Sequence, residues 1–448
     1  MPVHLLIRAA RVVDTTAAHH HQVVDLLIEN GVILKIGTDL TTPNGAQVID
    51  VPNLHLSAGW VDGRAAANDP GHEHRETLTD LARAAAAGGF TDVALLPNTN
   101  PVVDTKDTLG YVRRMAETPG SPARLHPMAA ITKGTKGVDF TDMIDLHRAG
   151  AIAFTDGDYP LQNPDLLLKT LQYLRPMHGL LVNRAEEQLL TQFGQMHEGI
   201  QSTLLGLKGL PAMAEVMTIE RDLRLLAYVL EPVTDTGNPA SAGQAVPNPV
   251  VPVLHFACLS TAESVELIRR AKARGLPVSC DVAAHQLVFT DTDLASFDTC
   301  LKVNPPFRSQ TDVDALWAGL ADGTIDMIVS DHHPHDDESK NVEFDVAEFG
   351  ISSIETVFSA VLTHNNNRLP LATLIDRLTR GPRQVLRLPP TTIAEGQPAV
   401  LTLFDPTAQW LFDRPVSPAK NSPFLGKILT GKVLGTVLPT TVTYSSPL

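Results

Sequence analysis

Three histidines and a carboxylate fall within five residues at Asp331-His332-His333-Pro334-His335, a density that suits metal binding or proton transfer. The same residues can equally be a retained loop conformation, and on residue type alone scaffold outweighs active site. Other ionisable groups come in short clusters, each after a short apolar run: Asp62-Gly63-Arg64, Asp156-Gly157-Asp158, Asn183-Arg184-Ala185-Glu186 and Lys302-Val303-Asn304. Cys258 is a candidate nucleophile with His255 three residues earlier. On a strand that spacing puts the two side chains on opposite faces, so a buried, inert thiol is expected. Asp281 and His285 are spaced for a hydrogen bond, and a polar strand end is the plainer reading. His19-His20-His21 lies in a polar connection and reads as a solvated triplet.

These clusters need a framework that brings them to one place. From about residue 56 to 390, short apolar runs alternate with helical patterns such as Glu73 to Ala87, Thr261 to Arg274 and Asp312 to Leu320. Eight strands are expected, near 59–63, 92–96, 125–131, 150–155, 179–183, 252–257, 277–282 and 326–330, most of them ending in polar residues. Eight βα units specify an α/β fold of the (β/α)8 TIM-barrel type, with its functional face at the strands' C-terminal ends. An open doubly wound sheet would want a G-x-G-x-x-G loop after its first strand, and none occurs there. Both chain ends read as β-rich: Leu5 to Arg8, Val24 to Ile28 and Val32 to Gly37 at the start, and Ala399 to Asp405 and Gly431 to Val437 at the end. Residues 1–55 and 391–448 are therefore expected to form one small composite β domain beside a barrel at 56–390. The segment 231–252, rich in Pro, Gly, Ser, Ala and Asn, interrupts the rhythm and reads as a flexible surface loop.

Composition narrows the classes. With 43% apolar and 19% charged residues among 448, the chain has material for a large core. Its formal charge of −15 opposes phosphate backbones and anionic lipid, so neither nucleic acid nor membrane is an expected partner. Three cysteines, Cys258, Cys280 and Cys300, form no CxxC pair and no disulfide framework, which fits a reducing cytoplasm. No basic leader and no apolar run approaching the roughly 18–20 residues of a membrane span is present.

Two further stretches carry family character: Gly88-Gly89-Phe90-Thr91 leading to Pro97-Asn98-Thr99-Asn100-Pro101, and Lys420-Asn421-Ser422-Pro423-Phe424 through Gly431. With the polar strand ends, the chain resembles, over nearly its whole length, the class I dihydroorotases of the amidohydrolase superfamily. These are metal-dependent barrel enzymes of pyrimidine synthesis. The resemblance implies a small β-sandwich beside the barrel, and it assigns roles by position. Arg64 and Ala66 stand where active relatives carry a His-x-His metal pair. Asn68 stands at the arginine that grips the substrate carboxylate, Asn183 at a bridging histidine and Cys258 at another ligand histidine. The fourth strand's aspartate pair shrinks to Asp156 followed by Gly157, and Asp331 matches the proton-transferring aspartate.

A hydrolytic metal site needs three or four N, O or S ligands converging on one cation. Arg64 brings a permanent positive charge there, Ala66 brings no ligand atom and Asn183 is a poor ligand, leaving only Asp156, Cys258 and Asp331. A salt bridge from Arg64 to an aspartate is the expected filling, with no metal and no other cofactor. The main expectation is therefore a noncatalytic pseudoenzyme. The resemblance supplies a partner: dihydroorotase-like chains of this kind assemble with the aspartate transcarbamoylase catalytic chain, commonly six of each, through a homodimeric unit. Two alternatives stand beside it. One is an active dihydroorotase or divergent metal-dependent cyclic amidohydrolase. The other is a binding protein whose barrel mouth takes a small pyrimidine-like or acidic ligand through Arg64, Asn68 and Asn304.

Overall fold

A computed structural model describes residues 4–231 and 251–445. Most of the loop expected at 231–252 lies outside the described residues. The chain opens with β1 (His4–Val12), β2 (Val23–Glu29), β3 (Val32–Gly37), β4 (Gln47–Ile49) and β5 (His55–Ala58). The barrel strands follow: β6 (Trp60–Ala65), β7 (Phe90–Leu95), β8 (Arg124–Pro127) and β9 (Leu181–Arg184). After a two-residue ladder, β10 (Met196–His197) with β11 (Gly209–Leu210), come β12 (Leu254–Ala257), β13 (Val278–Ala283) and β14 (Met327–Val329). β15 (Leu401–Phe412), β16 (Lys427–Leu438) and β17 (Thr441–Tyr444) close the chain.

The expected α/β barrel is present. β6-β7-β8 and β9-β12-β13-β14 are two all-parallel sheets. Their strands are buried along nearly their whole length, as strands covered on both faces must be. The sheets join on one side through Ala65 and His332 and on the other through Phe154, which bridges Ala129 and Leu181. That second join corrects the expectation of a strand at 150–155. The chain emerges from the Gly150 turn, makes four backbone hydrogen bonds through Ala153 to Thr155 and turns away at Asp156, too short a ladder for a strand.

Helices on the outside are capped as the sequence allows. Thr77 accepts the Asp80 amide at the start of Leu78–Ala87, Thr261 does so for Ala262–Ala273, and Ser309 with Asp312 boxes the start of Gln310–Asp322. The two chain ends build one further sheet in the order β17-β16-β15-β5-β1-β2-β3, over its own apolar cluster. Trp60, fully buried at the seam between the two layers, packs on Phe90, Phe358 and Phe404 at 4.8–6.1 Å between ring centroids. Gly89 at φ +93 lies under that indole, where a Cβ would come within 2.6 Å of the ring. No helix among the described residues is long and apolar enough to cross a membrane.

Candidate active site

The C-terminal ends of β6 and β14 deliver Arg64 and Asp331 to the same spot. Ser330 donates to Asp62 from both its hydroxyl and its amide, locking the two strands together, and burial pushes the Asp62 carboxyl up to about 6. Arg64, buried, then donates from Nε to Asp331 at 2.6 Å and from Nη2 to Asp158 at 2.7 Å. His333 lies on the far side of both carboxylates, with Nε2 3.2 Å from each oxygen of Asp158 and Nδ1 3.6 Å from Asp331 Oδ1. Burial alone would lower the His333 pKa, but Asp158 and Asp331 outweigh it and raise it to about 9. Burial likewise works against the Asp158 charge, yet His333 and Arg64 hold its carboxyl well below the usual range. Two cations and two anions thus form a neutral quartet, open to the mouth through Asp158 and with Arg64 Nη1 left without a hydrogen-bond partner.

Above the quartet opens a cavity of about 390 Å³ whose walls include Asn68, Asp158, Arg184, Asn304, His333 and His335. Arg184 is held by the Asp158 carbonyl and Glu186, and Glu186 also receives Asn304 Nδ2. His335 gives Nε2 to the Phe349 carbonyl, and burial lowers its pKa to about 4, so the ring is neutral with Nδ1 unpartnered. Asn421 holds this loop from below: it accepts the His335 amide and donates to the His333 and Gly350 carbonyls. The Lys420 to Phe424 signature is therefore a support for the mouth. His332 faces away, bonded to Glu76 and to the Ser353 amide. Lys302 is buried on the Phe344 and Asp345 carbonyls and anchors a loop.

The remaining sequence candidates are placed elsewhere. Both Asp156 oxygens are taken by the Ile131 and Thr132 amides and the Thr132 hydroxyl, so Asp156 fastens a loop and it is Asp158 that reaches Arg64. Asp158 was the signal to weigh, a second carboxylate two residues on. Gly157 sits at φ +66, and a Cβ there would come within 1.6 Å of Asn98 Oδ1, so Asn98 fills the space of any side chain at that position. Asn183 is bound to Asp222 and to the Leu161 amide. Cys258, at φ 54, donates its amide to Asp281, and burial pushes its thiol well up, leaving a neutral thiol. His255 pairs with Asp281 and Ser279 rather than with Cys258. His285 makes no hydrogen bond through either ring nitrogen, and burial lowers it to about 4. Arg64 lies beneath the mouth, committed to two carboxylates, and Ala66 adds only a methyl to the wall. A ligand would therefore meet Asn68 and Asn304 but not Arg64, which corrects the expectation that all three grip it.

The residues present do not fit a catalytic dication. Among the described residues no three His, Cys, Asp or Glu side chains converge on a metal position, and the charge of Asp158 and Asp331 is already balanced by Arg64 and His333.

A parallel α/β barrel with a β layer built from both chain ends and ionisable residues at the strand tips is the frame of this site. Solved structures share that fold: an L-hydantoinase (dihydropyrimidinase) from Arthrobacter aurescens superposes with a TM-score of 0.83 at 23% identity, covering 100% of this chain and 97% of that one. A D-hydantoinase gives 0.79 at 19% identity over 98% and 94%. The dihydro-orotase-like family pattern matches residues 56–228. Curated relatives named Dihydroorotase extend the match to the whole chain. Those of Pelobacter propionicus and Geobacter metallireducens are each 36% identical over 99% of this chain and 100% of their own, and that of Pelotomaculum thermopropionicum is 38% identical over 97% of both. The chain belongs to the dihydroorotase-like family of the amidohydrolase superfamily.

These relatives overturn the expectation of a noncatalytic pseudoenzyme, because proteins this similar over the full length carry an enzyme's name. Asp158, Arg184, His333 and His335, all from the polar strand-end clusters of the sequence, line the mouth together.

Proposed function

We propose that this chain is an enzyme of the dihydroorotase class, interconverting carbamoyl aspartate and dihydroorotate in pyrimidine formation, and that it works in an assembly with an aspartate transcarbamoylase catalytic chain. The first part is supported above all by the full-length similarity to relatives named Dihydroorotase. The mouth adds physical support. Both reactants are anions, and in a chain of net charge −15 the cavity wall sets Arg75, Arg184 and His333 against Asp158, Asp331 and Glu348, a locally neutral lining. Closing the ring forms a C–N bond between the ureido nitrogen and the side-chain carboxyl carbon and expels one carboxyl oxygen as water, with net uptake of one proton. His333, raised to about 9, keeps a proton at the mouth at neutral pH, on Nε2 toward Asp158. Arg184 and Asn304, fixed on Glu186, orient the anion. No step here passes through a metal.

The test is turnover of the purified chain in both directions, with His333→Gln beside it. Wild-type turnover is expected, with kcat down about 100-fold in the variant and KM changed only a few-fold. No wild-type turnover in either direction, alone or with the transcarbamoylase chain, overturns the enzyme reading.

The assembly part rests on the family resemblance, which supplies the partner, and on the family landmarks persisting from Gly88 to Gly431. Co-expression with the transcarbamoylase catalytic chain of the same organism followed by gel filtration is expected to give one stoichiometric complex. Separate elution removes the assembly part and leaves the enzyme part standing.

A further inference from the structure

Beside the mouth lies a second and larger cavity of about 640 Å³, and His72, Asn98 and Tyr159 line both spaces. Its walls are the turns that follow β7, β8, the Phe154 bridge and β9, and no step of the proposed reaction uses it. The volume is that of a site for a drug-sized molecule.

Part of this wall is already spent on holding the fold. Gly134 N donates to Asp104 Oδ2 and Gly137 N to Thr132 Oγ1, each at 2.9 Å, and the Thr135 and Lys136 amides close on the Thr132 and Lys133 carbonyls. All four backbone donors of 134–137 are therefore engaged, so this turn is no backbone nest for an anion. Both Asp156 oxygens are taken by residues 131 and 132. Gln162 is spent on the Pro160 and Glu186 carbonyls and the Gln188 amide.

The groups left free are selective. Lys136 is exposed on the wall and has no ion-pair partner among the described residues. Tyr159 is 54% exposed, and its hydroxyl makes no hydrogen bond to a described residue. Asn163 accepts the Asp165 amide through Oδ1 and keeps Nδ2 free, and the Gln188 carboxamide is uncommitted. A lysine meets phosphate as a point charge, a tyrosine face stacks a planar ring, and carboxamides, which donate and accept, suit the edge of a heterocycle. A saturated reactant would leave Tyr159 unused, and inorganic phosphate would leave both carboxamides unused.

We infer that this cavity is a second ligand site, which takes a nucleoside phosphate with its base on Tyr159, the base edge toward Asn163 and Gln188, and its phosphate on Lys136. The inference is independent of the catalytic reading, because it uses no residue of the quartet.

The test is isothermal titration of the full chain with uridine and adenosine 5′-monophosphate, each to about 5 mM, with inorganic phosphate and uridine alongside. At least one monophosphate is expected to bind with Kd below about 1 mM, and phosphate or nucleoside alone about tenfold more weakly or worse. Lys136→Glu and Tyr159→Ala should each weaken binding about tenfold or more at an unchanged melting temperature, while Tyr159→Phe keeps it. No binding of either monophosphate overturns the inference, as does binding that phosphate alone matches. So does binding indifferent to both Lys136→Glu and Tyr159→Ala, or binding lost in Arg184→Ala and kept in Lys136→Glu, which would put the ligand in the mouth.

Discussion

Each end of the barrel carries a carboxylate between an arginine and a histidine, and only one of the two faces a cavity. At the N-terminal end, Asp92 of β7 receives Arg124 and Arg383 at 2.7 Å each and His126 at 2.8 Å. Burial opposes the Asp92 charge, but His126 and the two arginines hold its carboxyl far below the usual range. Asp92 is sealed, with 2% of its side chain exposed, and Arg383 ties the helix Arg380–Leu386 to the barrel floor. At the C-terminal end, Asp158 is 34% exposed and opens onto the mouth. Similar groups are thus sealed at one end and open to a cavity at the other, and exposure of the anion is what separates them.

The sharpest break of that contrast is Asp92→Ala. It leaves Arg383 buried without its carboxylate, and a cost of about 3–5 kcal/mol in urea denaturation is expected. Asp158→Ala removes a carboxylate that water already reaches, with an expected cost of about 1–2 kcal/mol. Equal costs would mean that the mouth quartet holds the fold as much as the floor does.

A smaller effect is read through pH. The folded His333 pKa of about 9 lies above the value of about 6.5 for an unfolded histidine, so the folded chain binds this proton more tightly. The resulting stabilisation is complete below about pH 6.5 and is lost as pH rises through about 9. The groups facing the ring are Asp158, Asp331 and Arg64. Lys340, which burial lowers to about 8, acts in the opposite direction, adding stability as pH rises above 8. The readout is therefore wild type against His333→Gln. Between pH 7 and 9 the wild type should lose about 1–2 kcal/mol more than the variant. Parallel curves would show that His333 is not held protonated by the quartet.

Much of this scaffold was legible from residue order, because strand burial and helix caps are local. The apolar run that ends just before Asp331 and the helical pattern after Thr261 follow from period and spacing. The β layer from both ends was legible for the same reason, since hairpin punctuation is short-range. What was not legible depends on which neighbour reaches a group first. Asp156 and Asp158 differ by two positions, and only packing shows that the Ile131 and Thr132 amides claim the first, leaving the second for Arg64. Gly157 gave no hint that Asn98, almost sixty residues away, fills its side-chain space.

The smallest expected effect concerns metal. Chelator dialysis of the purified chain should shift its melting temperature by no more than about 1 °C, and added zinc should not raise it. At 4 Å, a dication beside Arg64 or protonated His333 would cost about 8 kcal/mol for each of these cations at an effective dielectric of 20, and the two carboxylates that could repay it are already engaged. Arg64→Ala sharpens the point, because it frees Asp158 and Asp331 while leaving His333 as their only cation. If the arginine is what keeps a dication out, this variant should take up more zinc than wild type in equilibrium dialysis. A wild-type chain that loses several degrees on chelation and regains them with zinc would show instead that the mouth rearranges around a metal, and the contrast with the Asp92 cluster would then rest on the ion rather than on exposure.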